Sequence, residues 1–188
     1  MDFPLISIAV GVGLSAACGF RVFVPLLMMS GASMMGYLEL SDQFAWMGTM
    51  PALIGFGTAT AVEVLAYYVP WLDNALDTIA SPAAVGAGVL ASASVLGDLS
   101  PFMQWTLAVI AGGGSAGIVQ GGTVVTRGAS SAGTGGLGNF LVSTGEAIAS
   151  VVTTLLAIVA PFVALAAIIV VIVLAVRRLF TRRRSVRR

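Results

Sequence analysis

"GLSAACGFRVFVPLL", residues 13–27, decides how this chain is read. Leu14, Ala16, Ala17, Phe20, Val22, Phe23, Val24 and Leu26 suit a lipid-facing helix, and Arg21 in their midst does not. A charge near the middle of a bilayer costs at least about 2.5–3.5 kcal/mol on insertion scales. In lipid, Arg21 needs a partner or a task.

Composition favours a lipid setting. The 188 residues are 58% hydrophobic and 9% charged, with a mean hydropathy of +1.02. Soluble domains carry roughly 25% charged residues. The chain is therefore expected to be a membrane protein, counted in spans of about 20 apolar residues. Its cations are nine Arg, with no Lys or His, and seven of the nine lie in residues 177–188. Arg21 and Arg127 alone face eight acids, so the body carries −6. A basic cluster just after an apolar run predicts a cytoplasmic C-terminus. There Arg177, Arg178, Arg182, Arg183 and Arg184 are expected to hold anionic headgroups. No soluble domain stands behind the cluster, so nucleic acid is not an expected partner. Cys18 is the single cysteine, which excludes an internal disulfide and reads as a small buried hydrophobe. "MDFPL" lacks the basic start of a secretory signal, so the first span is expected to be retained.

Along the chain, apolar runs predict spans at about 5–29, 50–69, 83–96 and 102–125. "PWLDNALDTIASP" between Pro70 and Pro82 reads as a short amphipathic stretch. "TRGASSAGTGGLGN" (126–139) is too polar and Gly-rich to cross lipid bare and reads as a loop. Residues 139–176 are too long for one span and are broken only by Pro161. They predict two spans hinged there, with one long kinked helix as the alternative. All six Trp and Tyr (Tyr37, Trp46, Tyr67, Tyr68, Trp71, Trp105) fall near span ends, as an interfacial belt would. The whole is an all-α polytopic domain over residues 1–176, followed by the arginine tail 177–188.

Small residues recur at four-residue steps as Gly11, Ser15, Gly19 and as Gly113, Gly117, Gly121. Such residues let helix backbones approach closely. Each set is followed by an Arg (Arg21, Arg127), then by a lone Glu in the next span (Glu63, Glu146), and that span ends at a Pro (Pro70, Pro161). This pattern predicts two three-span units, about 5–97 and 101–176, inverted relative to each other as in many transporters.

Several motifs also carry a family resemblance. "GFRVFVPLL" is followed by "VEVLAYYVPWLDNALDTIASPAAVGAGVLA" (62–91) and "TRGASSAGTGGLGNFLVSTGEAIA" (126–149). The most specific parts are Glu63 with Pro70, Trp71, Asp73 and Asp77, and the run Asn139, Ser143, Glu146. Together they resemble the bacterial integral-membrane family known as domain of unknown function 4126. The resemblance implies a small multi-span protein and no particular activity.

The polar residues inside spans form stripes. Asn139, Ser143, Glu146, Ser150 and Thr153 are spaced 4, 3, 4 and 3, which puts them on one helix face. Ser7, Gly11, Ser15, Cys18, Arg21 and Pro25 form a second stripe, and Thr60, Glu63 and Tyr67 a third. In lipid such stripes must face one another or a wet cavity. With six spans and both termini inside, Arg21 lies roughly 12 Å below the outer edge, and Glu63 and Glu146 roughly 9–10 Å above the inner one. Arg127 then sits at the inner edge. Arg21 and Glu63 would differ in depth by roughly 8 Å, so that a direct pair is not assured. The two Glu share a level and would repel if both were ionised, so one could exchange a proton.

Gly-Ala-Ser-Ser at 128–131 resembles a serine intramembrane protease motif, but that chemistry needs a His base and there is none. With no His and one Cys no metal cluster is expected either. The chain is therefore not read as an enzyme and no cofactor is expected. The expectation is a transporter or channel for a small, anionic solute, coupled to protons. Its pathway residues would be Arg21, Glu63, Arg127, Asn139, Ser143 and Glu146, with the glycines of 126–139 turning amides toward the anion. The alternative is a non-transporting membrane module that binds lipid or a partner protein. Either reading leaves room for a homo-oligomer.

Overall fold

The computed structural model describes residues 3–185, apart from the side chains of residues 3–4, 70–77, 172, 174–176 and 178–185. Among the described residues the regular structure is helical throughout. Helix α1 (Phe3–Cys18) is followed by α2 (Phe23–Met34), a 3₁₀ segment (Asp42–Gly48), α3 (Met50–Ala66) and α4 (Pro70–Val95). Then come α5 (Pro101–Leu107), a π-helical stretch (Ala108–Gly113) and α6 (Gly114–Thr134), which form one continuous rod, and finally α7 (Asn139–Val159) and α8 (Pro161–Ser185). Three segments, Thr78–Val95, Pro101–Thr134 and Asn139–Val159, are long and apolar enough to cross a bilayer. The 3₁₀ segment and α3, bent by 65°, make a fourth if counted as one.

The first predicted span is not one helix. It breaks at residues 19–22, and the cause is in the sequence. Pro25 has no N–H to give residue 21, and in a continuous helix its ring would press on that carbonyl. The amides of Gly19, Phe20 and Arg21 close the end of α1 with bonds to Ala16 and Ala17, and Pro25 sits in the first turn of α2, where a missing N–H costs nothing.

Pairings between helices give the direction of each. Ser15 Oγ donates to the carbonyl of Gly88 at 2.6 Å and Gly11 lies against Ser92, so α4 runs antiparallel to α1. Ser150 Oγ donates to the carbonyl of Ala17, and Gly13 lies against Ala157, so α7 is antiparallel to α1 as well. Gly13 also faces Ala164, and Ala16 clusters with Ile168, so α8 folds back on α7 and runs with α1. Pro161 therefore opens a hairpin, the first of the two alternatives the sequence left. Glycines 31 and 57 lie against Leu53 and Leu27, so α2 and α3 are antiparallel. The Ser41 amide bonds the carbonyl of Ser94, and Phe44 meets Trp105. These contacts return the end of α2 to the end of the bundle where α1 begins. The first predicted span is thus a helical hairpin whose tip is residues 19–22.

This overturns three expectations. Leu5 to Met29 is not a crossing helix. The first and last helices do not lie as two inside termini require, because α1 starts at one end of the bundle and α8 runs toward the other. The inversion fails too: Gly112 lies against Ser92 and Gly117 against Val85, so the α5–α6 rod runs antiparallel to α4 and hence parallel to α1, the helix it was predicted to invert. Two boundaries also shift. The amphipathic stretch after Pro70 and the predicted third span are one helix, α4, which passes through Pro82. Most of 126–139 continues α6, and only Gly135 (φ 63°) and Gly136 (φ 92°) turn the chain, in the left-handed region where glycine has no penalty.

Helix α1 is the axis of the fold. Ala9, Leu14, Ala16, Ala17 and Cys18 are completely buried, enclosed by α4, α6, α7 and α8. A helix apolar on all sides is a buried helix. The outward faces carry Ile54, Leu65, Ile110, Val125, Leu141 and Ile148, all exposed, which is the surface a bilayer would cover.

Candidate functional site

The hairpin tip brings unpartnered backbone into the interior. The first amides of a helix have no acceptor within it. Those of Val22 and Phe23, at the start of α2, each donate to one oxygen of Glu63, at 2.7 and 3.0 Å. Glu63 comes from the last turn of α3, which antiparallel packing places beside that start. A carboxylate here gains the two hydrogen bonds and the favourable end of the helix dipole. Glu63 thus caps α2 from another helix.

Arg21 precedes these amides. Its Nη2 donates to the carbonyl of Ser143 at 2.8 Å and lies 3.6 Å from Glu146 Oε2. Glu146 is held more firmly by Arg127: Nε donates to Oε1 at 3.0 Å and Nη2 donates to Oε2. Such two-pronged pairs are the stronger kind. The ring of Tyr67, just beyond α3, receives both guanidinium groups, with the Arg21 and Arg127 carbons 3.9 and 4.0 Å from its centroid. Cations over an aromatic face are attracted by its quadrupole, more so when dry.

The layer is closed to solvent. Arg21 is 2% exposed, and Glu63, Arg127 and Glu146 are all buried. It is not fully satisfied, however. Arg21 Nε and Nη1 and the Oγ of Ser143, a residue 1% exposed, are buried with no hydrogen-bond partner in the protein. Buried donors without partners are costly, and each asks for an explanation.

Of the six predicted pathway residues, Arg21, Glu63, Arg127, Ser143 and Glu146 meet in this layer. The predicted difference in depth between Arg21 and Glu63 disappears, because α1 stops and turns at the level where α3 ends. Asn139 stands apart, two turns down α7, where its Nδ2 donates to Ser131 Oγ at 2.9 Å. Further along the same stripe the buried threonine is Thr154, bonded to the carbonyl of Ser150, and Thr153 is only half-buried. Tyr67, at the end of α3, is buried among charges. A signal for this was present, since Tyr67 is one helical turn from Glu63.

The predicted packing residues divide. Gly11, Ser15 and Gly113 lie against α4, as does Gly117, while Gly19 lies against α6. Gly121 faces open space. Gly88 and Gly112, which the four-residue pattern passed over, mark a second close crossing, beside Ala116 and Ser92. In the tail Arg177 is exposed, and the side chains of Arg178, Arg182, Arg183 and Arg184 lie outside the described residues. Among the described residues no group of His, Cys, Asp or Glu side chains could hold a metal ion.

A recess of about 500 Å³ opens at the other end of the bundle, lined by Ser7, Tyr37, Glu39, Asp42 and Asp98 among others. It lies roughly 16 Å along α1 from the charge layer and is no part of it.

The fold defines an all-helical protein with several helices apolar enough to span a membrane, built around a buried charge layer. Over residues 8–181 the chain matches the family described as Domain of unknown function (DUF4126), and it belongs to that family. Comparison with curated proteins and with solved structures gives no significant match.

Proposed function

We propose that the protein is a membrane-embedded transporter or channel for a small anion. One observation carries this reading: α2 begins inside the bundle at the hairpin tip, its first amides, held by Glu63, next to a buried arginine with unused donors. Half-helices that begin inside transporters aim their positive ends at anionic substrates in the same way. In this reading α3, α4, the α5–α6 rod, α7 and α8 cross the bilayer, and the α1–α2 hairpin enters and leaves from one side. The arginine tail then places the far end of the bundle in the cytoplasm, by the positive-inside rule.

The test is flux in proteoliposomes, with nitrate, formate, chloride and phosphate as probes. The native protein is expected to pass at least one of them down a gradient, and Arg21→Gln to lose that flux while keeping its helix content. A native protein that moves no anion and no proton overturns the reading.

A second reading is a non-transporting module that binds lipid or a partner. The closed pairing of Arg127 with Glu146 favours it, because a sealed charge layer also serves to lock helices together. Removing residues 177–188 separates the two. The module loses its association with anionic vesicles, whereas the transporter keeps its flux once reconstituted.

A further inference from the structure

The positive end of α2 is occupied even when no anion is there. Glu63 holds both amides with its two carboxylate oxygens. We propose that Glu63 is a built-in competitor, occupying the place of a small monovalent anion and leaving it when it takes a proton, so that one proton moves with each anion. This rests on the transport reading above.

Three observations support it. The first is geometry. Two adjacent amides at 2.7 and 3.0 Å from one carboxylate make a seat for a single small anion, and the room released is that of one carboxylate. The second is charge. The groups around Glu63 are Arg21 at the hairpin tip, Arg127 from α6, Glu146 from α7, Tyr67 beyond α3 and Cys18 from α1. Two arginines and two glutamates sum to zero. Protonating Glu63 leaves one positive charge in excess, and one monovalent anion restores neutrality. A divalent anion overshoots. The third is the unspent hydrogen bonding of Arg21 Nε, Arg21 Nη1 and Ser143 Oγ, each buried and without a partner in the protein. An anion beside the tip has donors waiting that Glu63 leaves unused. Protonation weakens Glu63 at its seat for a plain reason: a neutral acid forfeits the attraction of the helix end and of both guanidinium groups. In the exchange the proton goes from solution to the Glu63 carboxylate, and the anion takes over the amides.

The decisive measurement is a proton count. The native protein in detergent is titrated calorimetrically with sodium nitrate and sodium formate, in two buffers of different ionisation enthalpy and at several pH values. The expected result is one proton taken up per anion bound, with affinity falling about tenfold per pH unit where Glu63 is ionised. Sodium sulfate is expected to bind more weakly. Glu63→Gln is expected to bind nitrate with no proton uptake and no pH dependence. Anion binding by the native protein without proton uptake overturns the competitor role and leaves the transport reading standing. Proton-linked binding with no flux in liposomes overturns transport and leaves the competitor role standing. Should Glu63→Gln fail to fold, the proton count on the native protein decides alone.

Discussion

Glu146 serves two guanidinium groups, and the share is unequal. Arg127 takes both oxygens, while Arg21 stands 3.6 Å from one and spends its best hydrogen bond on a backbone carbonyl. Removing the carboxylate therefore leaves two buried cations with one other acid nearby. Glu146→Gln is expected to destabilise by about 3–5 kcal/mol, read as a lower thermal midpoint in detergent. Adding Arg127→Met should recover part of the loss, because the double variant no longer buries that unpaired charge. No recovery would mean that the pair does not act as a unit. Tyr67→Leu removes the ring between chemistry and packing. Its expected cost is about 2 kcal/mol, since both cations lose an aromatic face in a dry site.

At the scale of elements the deciding feature is the break at residues 19–22. Gly19 and Pro25 end one helix and start another, and Glu63 makes the new start tolerable in the interior. Close approach does the rest. A Cβ on Gly19 would come within 2.5 Å of the Ala116 carbonyl oxygen and 2.6 Å of Val119 Cβ. Gly19→Ala should therefore cost about 1–3 kcal/mol through overpacking. Gly121→Ala, on a helix face with nothing within 4 Å, should be neutral or stabilising by up to about 1 kcal/mol. The same pair of thermal midpoints checks both. Equal effects at the two sites would contradict the helix contacts described above.

The whole molecule makes a prediction of topology. Tyr37, 74% exposed, lies at the end where α1 begins, and Leu137, 86% exposed, lies in the turn at the other end. Cys18 is wholly buried and stays silent toward a membrane-impermeant maleimide. In intact cells Tyr37→Cys is expected to be labelled from outside, and Leu137→Cys only after the membrane is opened. Labelling of both from the same side would mean an even number of crossings between them and overturn this topology.

The helical class and several helix starts were legible in the apolar runs, and the reasons are local. Helices form where apolar residues run long enough, and Pro101 and Pro161 each start one, so α3, the start of the α5–α6 rod, α7 and α8 lie near where the pattern placed them, whereas α4 begins at Pro70 and α6 runs on to Thr134. The spacing of Ser143, Glu146 and Ser150 was enough to put them on one face, because helical geometry is independent of what the face meets. What the sequence could not decide was what lies outside each helix. Hydropathy measures exclusion from water, and a protein interior excludes water as well as lipid does. The stretch around Arg21 therefore read as a lipid-facing span, yet it forms the enclosed axis and tip of the bundle. Its partner Ser143 is 122 residues away. Whether two such residues meet depends on the direction of every helix between them, and one fold-back at Gly19 reverses the sign of that account. The charges and their helix faces belong to the sequence. That two arginines and two glutamates share one level, with a glutamate on the amides of a broken helix, was decided only by the tertiary structure.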